Sequence, residues 1–133
     1  MSEYKSIICY NLNNLYNIIK IIEIKNAHEE DIRNFRHYFD EHNKRDLILS
    51  ISAENSNLKV WNIYNFECLI NIKKIYGNGE LYSSCFINHN NKIYILTSNF
   101  SYNNNRIKIF DLNGKKIEEI EQSGDMTYFI DSS

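Results

Sequence analysis

The sequence predicts an all-β fold, and three observations carry that reading. First, one pattern occurs three times: an apolar run ending in an aromatic, then Asn or Asp, then Leu or Ile, then a polar turn. The copies are "SIICYNLNN" with Tyr10, "LKVWNIYN" with Trp61 and "IKIFDLNG" with Phe110. The steps between them are about fifty residues, inside the range of tandem structural repeats. Second, each copy is followed by a short segment of β-type alternation or apolar run, "YNIIKIIEI", "ECLINIKKI" and "KKIEEIEQ". Third, the second and third copies are preceded by a further pair of strand-like runs. These are "RNFRHYF" with "DLILSISA", and "YSSCFIN" with "KIYILTSNF".

Taken in order, residues 3–24 hold two strands. Residues 28–74 hold a full set of four, with the strands inside 32–73. Residues 80–122 repeat the set, with the strands inside 82–121. The segment "MTYFID", 126–131, reads as the opening strand of one more unit. The whole chain, 1–133, is read as a single region. One element is ambiguous. "HEEDIRNFRHYFDEH" places Ile32, Phe35 and Phe39 at helical spacing, with acids in the first turn and Asn26 upstream as a cap. The matching segment of the next period, "LYSSCFIN", has no helical logic, so the shared period predicts a strand.

Composition narrows the class. At 133 residues, one domain is the default. Hydrophobic residues at 43% and aromatics at 14% describe a chain that folds. A formal net charge of -2 gives no field of one sign that would suit nucleic acid or a membrane surface. The chain has no Pro and four Gly, so Asn and Asp must make the turns, because they tolerate left-handed backbone better than other residues. The clusters 11–14, 88–91 and 103–105 are the expected places. Cys9, Cys68 and Cys85 are widely spaced and show no zinc-ligand pattern. No signal peptide or apolar run of spanning length is visible, so a soluble, reducing, cytoplasmic setting is expected. The sequon at Asn99 carries no weight in such a setting.

At this point the residues resemble the WD40 repeat, the four-stranded blade of a β-propeller. The best copy is "AHEEDIRNFRHYFDEHNKRDLILSISAENSNLKVWNI". Ala27-His28 stands where the repeat has Gly-His, and Trp61-Asn62 where it has Trp-Asp. The next copy ends "IKIFDL", keeping the Asp and replacing the Trp by Phe110; it lacks the His, whose place is taken by "YGNGELYSS". The resemblance implies an incomplete propeller of four-stranded antiparallel blades, with 3–24 a half blade. It also implies a structural tetrad in which Trp bonds Ser, Ser bonds His, and His bonds an acid in the turn between the second and third strands. Carried over, these are His28, Ser50 and Trp61, with Glu54 or Asn55 at the acid's place.

The same resemblance raises a conflict, because propellers close with at least four blades. The chain is then expected to be part of a longer propeller protein, to close by self-association as a homodimer, or to settle as a small sandwich-like stack. The first is favoured.

The chemistry-bearing residues do not converge. His37 and His42 flank a turn beside Asp40 and Glu41, and a solvated loop explains them; His89 stands apart. "GNG" at 77–79 lacks the Lys-Ser/Thr and helix of a phosphate loop. There is no nucleophile elbow. Glu118 and Glu119 read as solvated strand residues. No catalytic residue, cofactor or metal is expected. What stands out is a set of acids in the loops entering each unit: Glu29, Glu30, Asp31, Glu80 and Asp125, with Glu54 on the same rim. Ordinary polar loops have this composition, and an acidic face for a basic segment of a partner protein is the sharper alternative. The expected function is a non-catalytic protein–protein interaction scaffold. The alternatives are a docking or regulatory segment of a multidomain enzyme, and an orphan product without a partner.

Overall fold

The structure is a computed structural model that describes residues 5–12, 18–100 and 104–122. Ten strands follow one another: β1 (Ile7–Asn11), β2 (Ile19–Ile24), β3 (Ile32–Asp40), β4 (Arg45–Ser52), β5 (Asn57–Asn62), β6 (Glu67–Ile72), β7 (Glu80–His89), β8 (Lys92–Phe100), β9 (Asn105–Asp111) and β10 (Lys116–Gln122). They form three antiparallel sheets in which every strand pairs only with its neighbours in sequence. These are the hairpin β1-β2, the meander β3-β4-β5-β6 and the meander β7-β8-β9-β10. The fold is all-β, as the sequence predicts. The proposed first strand at 126–131, and Asp125 before it, lie outside the described residues.

The ambiguous segment is a strand. β3 pairs with β4 along its length, with one bulge near Ile32. Its residues alternate half-buried and exposed, which leaves Phe35 and Phe39 on the outer side. Helical acids and a cap lose here to a partner strand with no exposed residue, because a period of two buries one face against it.

The meander β3–β6 is the middle layer. One of its faces presents Leu47, Leu49, Ile51, Leu58, Val60 and Ile70, which pack on Leu81, Ile95 and Phe110 of the second meander. The other face presents Ile48, Trp61 and Ile63 to Ile7, Cys9 and Ile24 of the hairpin. β4 and β5 are therefore apolar on both faces, which is why "LILSIS" and "LKVW" read as continuous runs rather than alternating ones. Truncating a side chain such as Leu49 inside this layer costs about 2–5 kcal/mol, because the cavity left behind cannot fully collapse.

The layers are also stitched by backbone bonds. The Ala53 carbonyl accepts from the Ser56 amide (3.1 Å) and from the Leu81 amide (3.3 Å), and the Ser56 carbonyl accepts from the Ile75 amide (3.0 Å). Ser56 Oγ–H donates to the Gly79 carbonyl. Between the inner strands, the Tyr38 and Phe86 rings lie 5.6 Å apart, and Asn88 donates to the Tyr38 hydroxyl at 3.0 Å. Arg33 sits over the Tyr82 ring.

The turns answer to the shortage of glycine only in part through Asn. Asn90 and Asn91 adopt left-handed backbone, as does Asn26. So do Lys44, Ser56, Phe66 and Lys74, which the composition argument did not single out. Among the expected turn residues, Asn13, Asn14 and Asn103 lie outside the described set. Gly114 is required where it is: its φ is +79°, and a Cβ there would meet Ile70 Cγ2 at 3.4 Å.

Candidate functional site

The polar residues that the sequence singles out fall into two groups, one buried between layers and one on a rim. The buried group is built by strand register. β4 and β5 pair so that Ser50 lies opposite Lys59 and Ile48 opposite Trp61, all on the face toward the hairpin. The loop before β3 brings His28 to the same face, held by its amide donating to the Lys5 carbonyl at 3.3 Å. There Trp61 Nε1–H donates to Ser50 Oγ at 2.9 Å, and His28 Nε2 meets the same oxygen at 2.7 Å.

The fourth member of the expected tetrad is not in place. Glu54 is exposed, and His28 Nδ1 is buried with no hydrogen-bond partner among the described residues. Asn55 instead donates to Glu30 at 3.2 Å. In either tautomer, therefore, one polar site on the ring is unserved. Burial, reinforced by the nearby Lys59 ammonium, lowers the His28 pKa to about 4, so the ring is neutral at pH 7.

The second meander carries the same device in other residues, and sequence reasoning missed it. Thr97 lies opposite Lys108, as Ser50 lies opposite Lys59, and Ile95 lies opposite Phe110 as Ile48 does Trp61. Lys59 Nζ donates to the Ala27 carbonyl at 2.7 Å, and Lys108 Nζ to the Ile75 carbonyl at 2.6 Å. The residues that follow those carbonyls are His28 and Tyr76. Tyr76 reaches Thr97 Oγ1 at 2.9 Å and donates toward the Thr97 and Arg106 carbonyls at 2.8 and 3.1 Å. Burial pushes its hydroxyl up to about 12. Each lysine also lies over an aromatic ring: Lys59 over Trp61 at 5.6 Å and Lys108 over Tyr76 at 4.9 Å. The signal that could have found this was the Lys shared by "LKVW" and "IKIF".

The rim group is less uniform than the run of acids suggests. Glu29 accepts from Lys73 at 2.9 Å, and that bond holds its carboxyl below the usual range. Glu80 pairs with Arg33 at 3.3 Å. Of the expected acids among the described residues, Glu30, Asp31 and Glu54 are brought together, around an open recess of about 500 Å³ that Lys5 and Arg33 also line. At the opposite end of β3, Asp40 is buried. Burial alone would raise its carboxyl, but bonds from Arg45 (2.7 Å) and from Asn43 outweigh it and hold the group below its ordinary value. His37 pairs with Asp46, His42 borders a separate surface recess and His89 is exposed beside Asn90. Among the described residues, no group of three His, Cys, Asp or Glu is placed to hold a metal ion, and no helix is long and apolar enough to cross a membrane. Cys9, Cys68 and Cys85 form no disulfide among the described residues.

This arrangement defines an all-β chain of tandem antiparallel sheets braced by buried polar chains. Comparison with protein-family models, with curated proteins and with solved structures found no match.

Proposed function

We propose that this chain is a WD40-type β-propeller region that serves as a non-catalytic platform for other proteins. The observation that carries the reading is the chain Trp61–Ser50–His28, which occupies the places the repeat resemblance assigns to it. Two successive four-stranded meanders with matching register support it. In this reading the polar residues between layers brace the sheets by satisfying buried groups. Interaction then falls to the rim loops, where the strands leave side chains accessible. Fold alone does not fix function, so the rim must be tested directly.

The partner segment that the rim suits is basic. Of the acids expected there, Glu30, Asp31 and Glu54 border one recess, while Glu29 and Glu80 are engaged by Lys73 and Arg33. The test is fluorescence anisotropy with a labelled Lys/Arg-rich peptide. The platform reading expects saturable binding that weakens about tenfold or more in Glu30→Lys/Glu54→Lys, with unchanged circular dichroism, since charge complementarity governs capture. Equal affinity in the two proteins, or no binding by the parent chain, would overturn the basic-segment reading.

A further inference from the structure

Among the described residues, the three layers leave two faces uncovered, and the repeat identifies both. By register and by the bulge beside each aromatic, Ile8 and Tyr10 of the hairpin hold the positions of Lys59 and Trp61 in the first meander and of Lys108 and Phe110 in the second, with Leu12, Ile63 and Leu112 two residues further on. Trp61 and Phe110 are 6% and 5% exposed because a preceding layer covers them; Tyr10 is 51% exposed, and Ile8 and Leu12 are 42% and 63% exposed. At the other end, Ile107 and Ile109 hold the positions of Leu58 and Val60, which a following layer covers completely. Leu96 and Ile120 share that face through their pairing with Ile109 and Ile107, and Ile120 is exposed.

The chain thus carries both halves of an interface it has already built twice. One half is the surface that in each interior layer faces backward, and the other is the surface that faces forward. We propose that a second copy of this chain covers them, the bare hairpin face of one copy seating on the bare β7–β10 face of the other. Such a contact is head to tail, and two copies can make it twice around a two-fold axis. The assembly then has six sectors, four meanders and two hairpins, within the four to eight of closed propellers. The proposal rests on the propeller reading for its sector count and on the observed register for its two faces, and is independent of the rim and its peptide.

The test is mass in solution by light scattering after size exclusion, on the full chain and on variants at exposed positions. The parent chain is expected at twice 15.9 kDa. Tyr10→Glu alone and Ile120→Lys alone are each expected at the single-chain mass, with circular dichroism unchanged. An equimolar mixture of the two is expected to regain the doubled mass, since one contact then joins two parent faces and the other sets the introduced carboxylate against the introduced ammonium. Leu12→Glu repeats the hairpin arm if Tyr10→Glu disturbs folding. A parent chain that stays single up to its solubility limit overturns the proposal, as does a dimer that survives either variant. A mixture that stays single overturns the head-to-tail geometry, and open-ended growth in mass overturns closure.

Discussion

Tyr76 stands in the second meander where His28 stands in the first. Each follows a carbonyl that accepts from a lysine of the third strand, Ala27 from Lys59 and Ile75 from Lys108. Each reaches the hydroxyl of the residue opposite that lysine, Ser50 or Thr97. The two units therefore share one bracing plan with different chemistry. In the first, a hydroxyl serves two ring nitrogens; in the second, a phenol serves a hydroxyl and two carbonyls.

That difference predicts unequal sensitivity. Ser50→Ala removes the only partner of Trp61 Nε1–H and of His28 Nε2 that the structure shows, leaving two buried polar groups unserved. It should cost about 2–6 kcal/mol, since each such group costs about 1–3 kcal/mol. Thr97→Val keeps shape and leaves Tyr76 O–H its carbonyl acceptors. It should cost about 1 kcal/mol. Urea unfolding of both variants against the parent chain measures the contrast. Equal losses would mean that Ser50 is not the shared partner of Trp61 and His28.

His28 predicts a pH dependence. Its pKa falls from 6.5 to about 4 on folding, chiefly through burial. Between those values the unfolded chain binds a proton that the folded chain does not, so stability is full above pH 6.5 and is lost as pH falls toward 4. The full loss is about 3 kcal/mol. In His28→Asn this part of the slope should vanish, although the variant is less stable at pH 7. Denaturant midpoints from pH 7 to 4 read the difference, and parallel slopes would contradict it.

Backbone conformation predicts opposite signs at two turns. Gly114→Ala places a methyl group at φ +79° and against Ile70, and should destabilise by about 1–2 kcal/mol. Lys44 is exposed at φ 52° in the β3–β4 turn. Lys44→Gly relieves about 1–2 kcal/mol of left-handed strain and adds about 0.4–1 kcal/mol of unfolded-chain entropy, so the net gain should be about 0.5–1 kcal/mol. Thermal melts of both variants check the pair of signs.

Much of the fold was legible because the strands are short, apolar and tandem. The three aromatic-plus-Asn/Asp copies mark β1, β5 and β9, and the runs around them mark their neighbours. β3 was the hard case, since its acids and Phe spacing suit a helix until β4 is counted as a partner. The Trp61–Ser50–His28 chain was legible because each residue kept its type. The Tyr76–Thr97 chain was not, because a phenol and a threonine do the same bracing under other names, and only the lysines persist. Glu54 shows the reverse failure: its place in the turn suggested a bond that its exposed side chain does not make. The cations on the rim were not legible, because Lys73 pairs with the distant Glu29 and Arg33 with the distant Glu80, which linear spacing does not show.

The central claim is that the layers are braced by a buried polar chain centred on Ser50, and the single tryptophan lets it be measured directly. A proton–nitrogen correlation spectrum should contain one indole Nε1–H peak. The account predicts that this peak exchanges slowly with solvent and that Ser50→Ala both shifts it and makes it exchange faster. A peak that exchanges at the rate of a free indole in the parent chain would contradict the account.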